Sequence, residues 1–165
     1  MSHCSELLGN ILREKKLSIA TAESCTAGGI SAEIASVDGA SNYLVGGAIV
    51  YATRLKNELL GVSTDTILRH GVVSRQTAME MNEGVRRLTG ADVAISVTGY
   101  IGASGGDTFA GNGTVWICVG RNGHDCQSLC LTVNSTRREN SREVIEAAIN
   151  FAINILQQPD SDDKT

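Results

Sequence analysis

The pattern that most constrains this chain is an alternation of short apolar runs with segments of helical periodicity. Three apolar runs rich in small and β-branched residues predict strands, at 17–23, 44–53 and 91–99. Helical spacing covers 5–16, 26–37, 54–61, 74–90 and 140–157, and a further helical turn covers 64–71. Two later strands, 114–120 and 125–133, flank Arg121-Asn122-Gly123, whose Asn-Gly pair favours a tight turn. The sequence therefore predicts a three-layer α/β/α sandwich around a mixed β-sheet with one antiparallel hairpin.

The helical segments also predict which side chains face the core. Ser74 is placed to cap the helix that follows it, as serine often does. The apolar positions expected to be buried are Leu7, Leu8, Ile11 and Leu12, then Ala78, Met81, Val85 and Leu88, and finally Val144, Ile145, Ala148, Phe151 and Ile155.

Length and composition limit the classes of function. The chain has 165 residues, and we expect one domain over 1–157 followed by a disordered acidic tail over 158–165. A net charge of −4 gives no electrostatic footprint for nucleic acid. No apolar run is long enough to span a bilayer, and the N-terminal segment is typical of an amphipathic helix and not of a signal peptide. Neither a nucleic acid nor a membrane is expected as a partner.

Cysteine and histidine usage bears on metals and on compartment. The five cysteines include no CxxC pair, and the three histidines have no cysteine or carboxylate at ligand spacing. We therefore expect no metal, reduced thiols and a cytoplasmic location.

The first candidate site is the junction AESCTAGG, where a predicted buried strand turns into a helix. Side chains at such a junction lie outside the carboxyl end of the sheet, and free backbone N–H groups there can hold an anion. Ser24 is a candidate nucleophile, but Ser24 or Thr26 could equally act as an ordinary helix cap, which is the more frequent role. Cys25 is a rival nucleophile, although a packed, unreactive thiol is the better interpretation.

Two further segments could carry chemistry. Tyr51 and Lys56 lie where the second strand leads into a helix, so a lysine with a lowered pKa could act as a base there. A solvated helical lysine is the simpler alternative. The glycine-rich segment 98–114 is longer than most connections, and it could cradle a phosphate or ribose or be a mobile loop without a ligand.

Taken together, these segments resemble the CinA C-terminal domain family, the nicotinamide-nucleotide amidohydrolases. The resemblance covers nearly the whole chain: TAESCTAGG at 21–29, GAIVYATRLK at 47–56, LGV at 60–62, HGVVS at 70–74, and TG…GASGG followed by GTVW at 113–116. It implies hydrolysis of the carboxamide of nicotinamide mononucleotide to nicotinate mononucleotide and ammonia, without a cofactor. It also implies a small nucleotide as substrate and a homo-oligomeric protein.

The resemblance assigns roles to individual residues. It implies Ser24 as the nucleophile, Lys56 as the acceptor of its proton and Tyr51 as an aid to proton transfer. Backbone amides near Thr26 would stabilise the oxyanion, and Arg137 would bind the 5′-phosphate. Further substrate-binding positions are expected where small residues let a ligand approach the backbone or its N–H groups: Ala27, Gly28, Gly99, Gly105 and Gly106.

The sequence differs from the family pattern in two places. The family loop usually reads GIAGPxGG and here reads GYIGASGG, and a GDR-like stretch reads STR at 135–137. Two alternatives to the nucleotide amidase therefore stay open. One is an inactive or weakly active nucleotide-binding accessory protein of the same family, and the other is an amidase for a different small carboxamide.

Overall fold

The structure is a computed structural model and describes residues 2–160. Its strands are β1 (Ile19–Glu23), β2 (Leu44–Ile49), β3 (Val93–Gly99), β4 (Thr114–Arg121) and β5 (Gln127–Thr132). Its helices are α1 (Ser2–Lys15), α2 (Gly29–Ala35), α3 (Thr53–Leu60), α4 (Thr64–His70), α5 (Arg75–Thr89) and α6 (Arg137–Gln157), with a 3₁₀ turn at Ala40–Asn42.

The five strands form a single mixed sheet in the order β2-β1-β3-β4-β5. Strands β2, β1 and β3 are parallel, whereas β4 runs antiparallel to both β3 and β5. The β4–β5 pair is the predicted hairpin, and Gly123 in its turn adopts a left-handed φ of 79°. Because the first three strands are parallel, their carboxyl ends meet at one edge of the sheet.

Helices cover both faces of this sheet. One apolar core lies between the sheet and α1, α2 and α6, and it includes Ile19, Ile95, Ile117 and Val144. A smaller core on the other face joins the sheet to α3 and α5 through Ala20, Ala94, Leu60, Met81 and Val85. The predicted three-layer α/β/α sandwich around a mixed sheet is confirmed.

Local cap chemistry shifts the bounds of two predicted helices. The helix expected over 26–37 begins only at Gly29, because Ala27 and Gly28 have left-handed φ angles of 50° and 94°. The helix expected from 140 begins at Arg137, because Thr136 and Glu139 form a reciprocal capping box. The cap predicted at Ser74 is confirmed, since its side chain accepts a hydrogen bond from the Thr77 amide.

Leu7 and Leu88 are exposed, because their helices turn these positions away from the two cores. In α6 the buried face centres on Val144, Ala148, Ala152 and Leu156, and Ile145, Phe151 and Ile155 are only half-buried at its margins. At the chain end Asp160 accepts a hydrogen bond from Arg121 at 2.6 Å, and the rest of the predicted tail, 161–165, lies outside the described residues.

Candidate functional site

A cleft of about 340 Å³ lies outside the carboxyl ends of the parallel strands. Its walls come from the bend after β1, the β2–α3 connection, the segment before α5, the loop after β3 and the start of α6. The residues that line it are Ser24, Cys25, Tyr51, Thr53, Lys56, Val72, Val73, Thr98, Gly99, Tyr100, Ile101, Gly102, Ser104 and Arg137. This position at the strand ends is where open α/β sheets bind small ligands.

Ser24 is placed in the cleft by the pairing of β1 with its neighbours. Its N–H donates to the Val97 carbonyl of β3 at 3.2 Å, and the Val50 N–H donates to the Glu23 carbonyl at 2.8 Å. The chain then turns sharply through residues 24–28, which we call the Ser24 bend, before α2 begins. Within residues 2–160, the backbone N–H groups of Cys25 and Thr26 donate to no other residue. They are available to a ligand oxygen.

Lys56 meets Ser24 from the opposite wall of the cleft. It lies one turn before Leu60 on the face of α3 that packs against the sheet, and its side chain is only 1% exposed. Its Nζ donates to Ser24 Oγ at 3.0 Å, to the Val50 carbonyl at 2.7 Å and to the Tyr51 carbonyl at 3.4 Å. The two residues are 32 positions apart in sequence, and the fold brings them together.

Burial lowers the pKa of Lys56 to about 8, because an ammonium loses its hydration in this position. A neutral amine has two N–H donors and one lone pair. The Val50 and Tyr51 carbonyls can accept both N–H groups, which leaves the lone pair directed at Ser24 Oγ. The geometry therefore suits removal of the serine proton by lysine.

Tyr51 and Arg137 form the outer part of the cleft. The Tyr51 side chain is 53% exposed, and its hydroxyl accepts a hydrogen bond from Arg137 Nη1 at 3.3 Å. Within residues 2–160, the Tyr51 hydroxyl has no second hydrogen bond. Tyr51 therefore contacts Lys56 through its main-chain carbonyl and Arg137 through its side chain. Arg137 gives the rim of the cleft a positive charge.

The predicted binding residues divide into two groups. Gly99 and Arg137 line the cleft together with Ser24, Tyr51 and Lys56. Thr26, Ala27 and Gly28 lie in the Ser24 bend but do not line the cleft; Thr26 is buried and its hydroxyl donates to Glu23. Gly105 and Gly106 lie farther along the loop after β3, where Gly106 pairs with Gly111.

Cys25 points into the core beside the cleft. Its side chain is 7% exposed and packs in the core formed with α1, α2 and α6. Burial raises the pKa of its thiol to about 12, so the thiolate is disfavoured. This environment agrees with the packed, unreactive thiol that the sequence favours.

The glycine-rich segment after β3 is held by its own contacts. The Tyr100 hydroxyl donates to Asp107 Oδ2 at 2.8 Å, and Asp107 Oδ1 accepts from the amides of Phe109 and Ala110, each at 2.8 Å. Tyr100 also lines the cleft. The sequence pointed to the glycines of this loop as ligand contacts and assigned no role to Tyr100, which supplies an aromatic surface to the cleft.

Across residues 2–160, no three histidine, cysteine, aspartate or glutamate side chains are grouped as metal ligands would be. In the same part of the chain, none of the helices has the length and apolar character required to cross a bilayer.

Comparisons with known proteins agree on one family. The family model for the CinA C-terminal domain matches residues 1–156. A CinA-like protein of Thermotoga maritima is 41% identical over 119 residues, which cover 72% of this chain and 29% of that protein. The curated relatives that it matches are much longer, and the matched parts make up 24% to 37% of their length.

Solved structures match over nearly the full chain. The crystal structure of a competence or damage-inducible protein from Enterobacter asburiae has a TM-score of 0.91 at 26% identity, covering 94% of this chain and 98% of that chain. That of a competence/damage-inducible protein from Agrobacterium tumefaciens has a TM-score of 0.86 at 30% identity, covering 94% and 96%. The sequence match and these superpositions share one conclusion: the chain belongs to the CinA C-terminal domain family.

Proposed function

We propose that this protein is an amidohydrolase that converts nicotinamide mononucleotide to nicotinate mononucleotide and ammonia. The observation that carries the proposal is the contact between the buried Lys56 amine and Ser24 Oγ, at 3.0 Å on the floor of a cleft. A lysine whose pKa is lowered by burial is a suitable base for a serine nucleophile. Family membership supports the substrate class through the resemblance described above.

The reaction would begin with attack of Ser24 Oγ on the carboxamide carbon. Lys56 Nζ takes the hydroxyl proton as the O–C bond forms, and the carbonyl oxygen becomes an oxyanion. The free N–H groups of Cys25 and Thr26, which follow the nucleophile directly, are the candidate donors to that oxyanion. Such donors act where charge develops, so they lower the barrier and not merely the dissociation constant.

Collapse of the intermediate would expel ammonia. The Lys56 ammonium returns its proton to the leaving nitrogen as the C–N bond breaks, which leaves an acyl group on Ser24 and a neutral lysine. Water, deprotonated by Lys56, then attacks the acyl carbon, the bond between that carbon and Ser24 Oγ breaks, and the Lys56 ammonium returns the proton to Ser24 Oγ. The carboxylic acid released gives its proton to ammonia in solution. The sum is carboxamide plus water to carboxylate and ammonium, with the serine and lysine restored.

The rim of the cleft fits the non-reacting part of a nucleotide. Arg137 can form charge-assisted hydrogen bonds with a 5′-phosphate, and it already donates to the Tyr51 hydroxyl at 3.3 Å. Tyr100, which also lines the cleft, offers an aromatic surface to the pyridine ring. The cleft volume of about 340 Å³ lies in the range of small-molecule sites. A cytoplasmic location and self-association stay predictions.

The direct test is turnover of nicotinamide mononucleotide by the purified chain, with ammonia and nicotinate mononucleotide both quantified. Ser24→Ala should abolish turnover, and Ser36→Ala, an exposed serine at the end of α2, is the matched control that should retain it. A folded wild-type protein that releases neither product would refute the proposal. Equal turnover by Ser24→Ala and wild type would refute the assigned nucleophile.

The same preparation tests the two alternatives. Thermal stabilisation by the nucleotide without turnover, equal in wild type and Ser24→Ala, would indicate a nucleotide-binding accessory protein. Ammonia release from other carboxamides but not from nicotinamide mononucleotide would indicate an amidase with a different substrate.

A further inference from the structure

Glu23, the last residue of β1, is a buried carboxylate next to Ser24 that the proposed reaction does not use. Its side chain is 1% exposed. Oε1 accepts hydrogen bonds from Thr26 Oγ1 at 2.6 Å and from the Ile30 amide at 2.8 Å. Oε2 accepts from the Ser31 amide at 2.9 Å and from Thr21 Oγ1 at 3.1 Å. One carboxylate thus ties together the strand before the bend, the bend itself and the first turn of α2.

We propose that Glu23 is the positioning residue that fixes the Ser24 bend in its reactive conformation. This inference rests on the proposed amidase function and assigns to Glu23 no contact with substrate. Its four bonds determine where α2 begins relative to β1, and residues 24–28 have to span that gap. The orientation of Ser24 Oγ toward Lys56, and of the free Cys25 and Thr26 amides, follows from this constraint.

The bend has a conformation that needs such support. Ala27 has a φ of 50° and is followed by Gly28 at 94°, so two successive residues are left-handed. A non-glycine residue in this region costs free energy and persists when the surroundings hold it. Hydrogen bonds to a carboxylate are about twice as strong as those between neutral groups, so the Glu23 contacts are suited to offset that cost.

The chemistry of the contacts requires a carboxylate. All four partners of Glu23 are N–H or O–H donors, two on each oxygen. An amide at this position accepts on one side only, and its NH₂ group would face either the Ser31 or the Ile30 amide, donor against donor. Glu23→Gln therefore keeps the size of the side chain and loses the hydrogen bonds accepted by one of the two oxygens.

The first test is kinetic. We expect Glu23→Gln to lower kcat for nicotinamide mononucleotide roughly 100-fold, with KM within about threefold of wild type, because the reacting groups are misplaced while the binding rim is intact. The matched control is Asp92→Asn. Asp92 is a carboxylate directly before β3, at the amino end of the parallel strands, where its Oδ2 accepts from the amide and hydroxyl of Ser18 at 2.8 and 2.9 Å. The kcat of Asp92→Asn should stay within about twofold of the wild-type kcat. A purely structural role for Glu23 would lower the stability of Glu23→Gln and leave kcat of its folded fraction unchanged.

The second test needs no substrate. Amide hydrogen exchange followed by NMR should show Ile30 and Ser31 exchanging at least about tenfold faster in Glu23→Gln, with new chemical shifts for the Cys25 and Thr26 amides. Unchanged exchange and unchanged shifts would overturn the positioning role even if the wild-type protein hydrolysed no nucleotide. Absence of turnover in wild type, with the expected exchange result, would instead overturn the proposed function alone.

Thr26→Val covers the case in which Glu23→Gln does not fold. It removes one of the four bonds and keeps the carboxylate. We expect kcat to fall about tenfold with little change in KM. Wild-type kcat in this variant, together with wild-type exchange at Ile30, would overturn the proposal.

Discussion

Lys56 and Asn82 are both buried polar side chains that donate to two backbone carbonyls, yet they lie in different settings. Asn82, in α5, is fully buried against the sheet. Its Nδ2 donates to the carbonyls of Ala94 at 2.9 Å and Cys118 at 3.1 Å, and its Oδ1 accepts from Arg86 Nε at 3.1 Å. Every partner belongs to the protein framework, so these hydrogen bonds join α5 to two strands and none of them reaches the cleft.

Lys56 has the same pattern with one partner exchanged. Two of its contacts are the Val50 and Tyr51 carbonyls, but the third is Ser24 Oγ, a group that faces the cleft. Its protonation state can change near neutral pH, because burial lowers its pKa to about 8. A buried polar residue therefore indicates chemistry when it can titrate and when one of its hydrogen-bond partners is open to a ligand.

The largest expected effect separates the two residues by activity. Lys56→Met keeps the length of the side chain and removes the amine, so turnover should fall by about 10³-fold or more, because general base catalysis is lost. The free energy of unfolding at neutral pH should be unchanged or higher, since a buried charge is replaced by an apolar group. Steady-state kinetics and denaturant unfolding measure the two quantities. Wild-type turnover in this variant would show that Lys56, like Asn82, supports the fold and takes no part in catalysis.

The reciprocal substitution is expected to affect stability alone. Asn82→Leu removes one of the two acceptors of the Arg86 guanidinium and both hydrogen bonds to the strand carbonyls, so the free energy of unfolding should fall by about 2 kcal/mol. Asn122→Ala is the control, since Asn122 is an exposed partner of the same arginine at 3.2 Å and should cost less than about 0.5 kcal/mol. The folded Asn82 variant should keep wild-type kcat. A lower kcat in the folded Asn82→Leu protein would contradict the claim that Asn82 affects stability alone.

The sequence could predict the layers of the fold because they depend on periodicity. The apolar runs at β1 and β3 indicate buried strands, and the Asn-Gly pair indicates the hairpin turn, all from neighbouring residues. The capping box of Thr136 and Glu139 is equally local, and it could have placed the start of α6 correctly. Exposure of Leu7 and Leu88 was not predictable in this way, because it depends on where the neighbouring layers end.

The site was predictable in part for the same reason. The strand-to-helix junction indicated Ser24, but a lysine in a short helix is ordinarily solvated, and periodicity gives no sign that Lys56 is 1% exposed. Its burial arises because α3 packs against α5 and because Ser24 and the Val50 and Tyr51 carbonyls surround its Nζ. The role inferred for Glu23 likewise depends on amides seven and eight residues away, across a left-handed bend.

The pH dependence should sharpen the contrast between the titrating and the non-titrating site. Because the neutral amine is the reactive form, kcat should fall about tenfold for each pH unit below about 8. Asn82→Leu should keep the same profile. A pH–rate profile over the range in which the protein stays folded measures both, and a flat profile below about pH 8 would contradict Lys56 as the base.

The same pKa shift makes a signed prediction about stability. The pKa of Lys56 is lowered from 10.5 to about 8 by burial, so between these values the unfolded chain binds more protons than the folded chain. The cost of burying the ammonium is therefore fully present below about pH 8 and is lost as the pH rises toward 10.5. Wild type should gain stability relative to Lys56→Met across this interval, as measured by denaturant unfolding at several pH values. A constant difference between the two proteins would mean that Lys56 does not titrate in this range.

The smallest effect extends the comparison to the arginines beside each site. Arg137 reaches the rim of the cleft, whereas Arg86 supports Asn82 in the framework. Arg137→Ala should raise KM for nicotinamide mononucleotide about tenfold and leave kcat near wild type, because a phosphate contact is made equally in ground and transition states. The nucleoside without its phosphate should show no such change.

Two variants serve as controls. Arg138→Ala replaces an exposed neighbour outside the cleft and should leave KM unchanged. Arg86→Ala should lower the free energy of unfolding by about 1 kcal/mol and also leave KM unchanged. An equal rise in KM for both compounds would assign Arg137 to shaping the cleft through Tyr51, and the phosphate would then have to bind elsewhere.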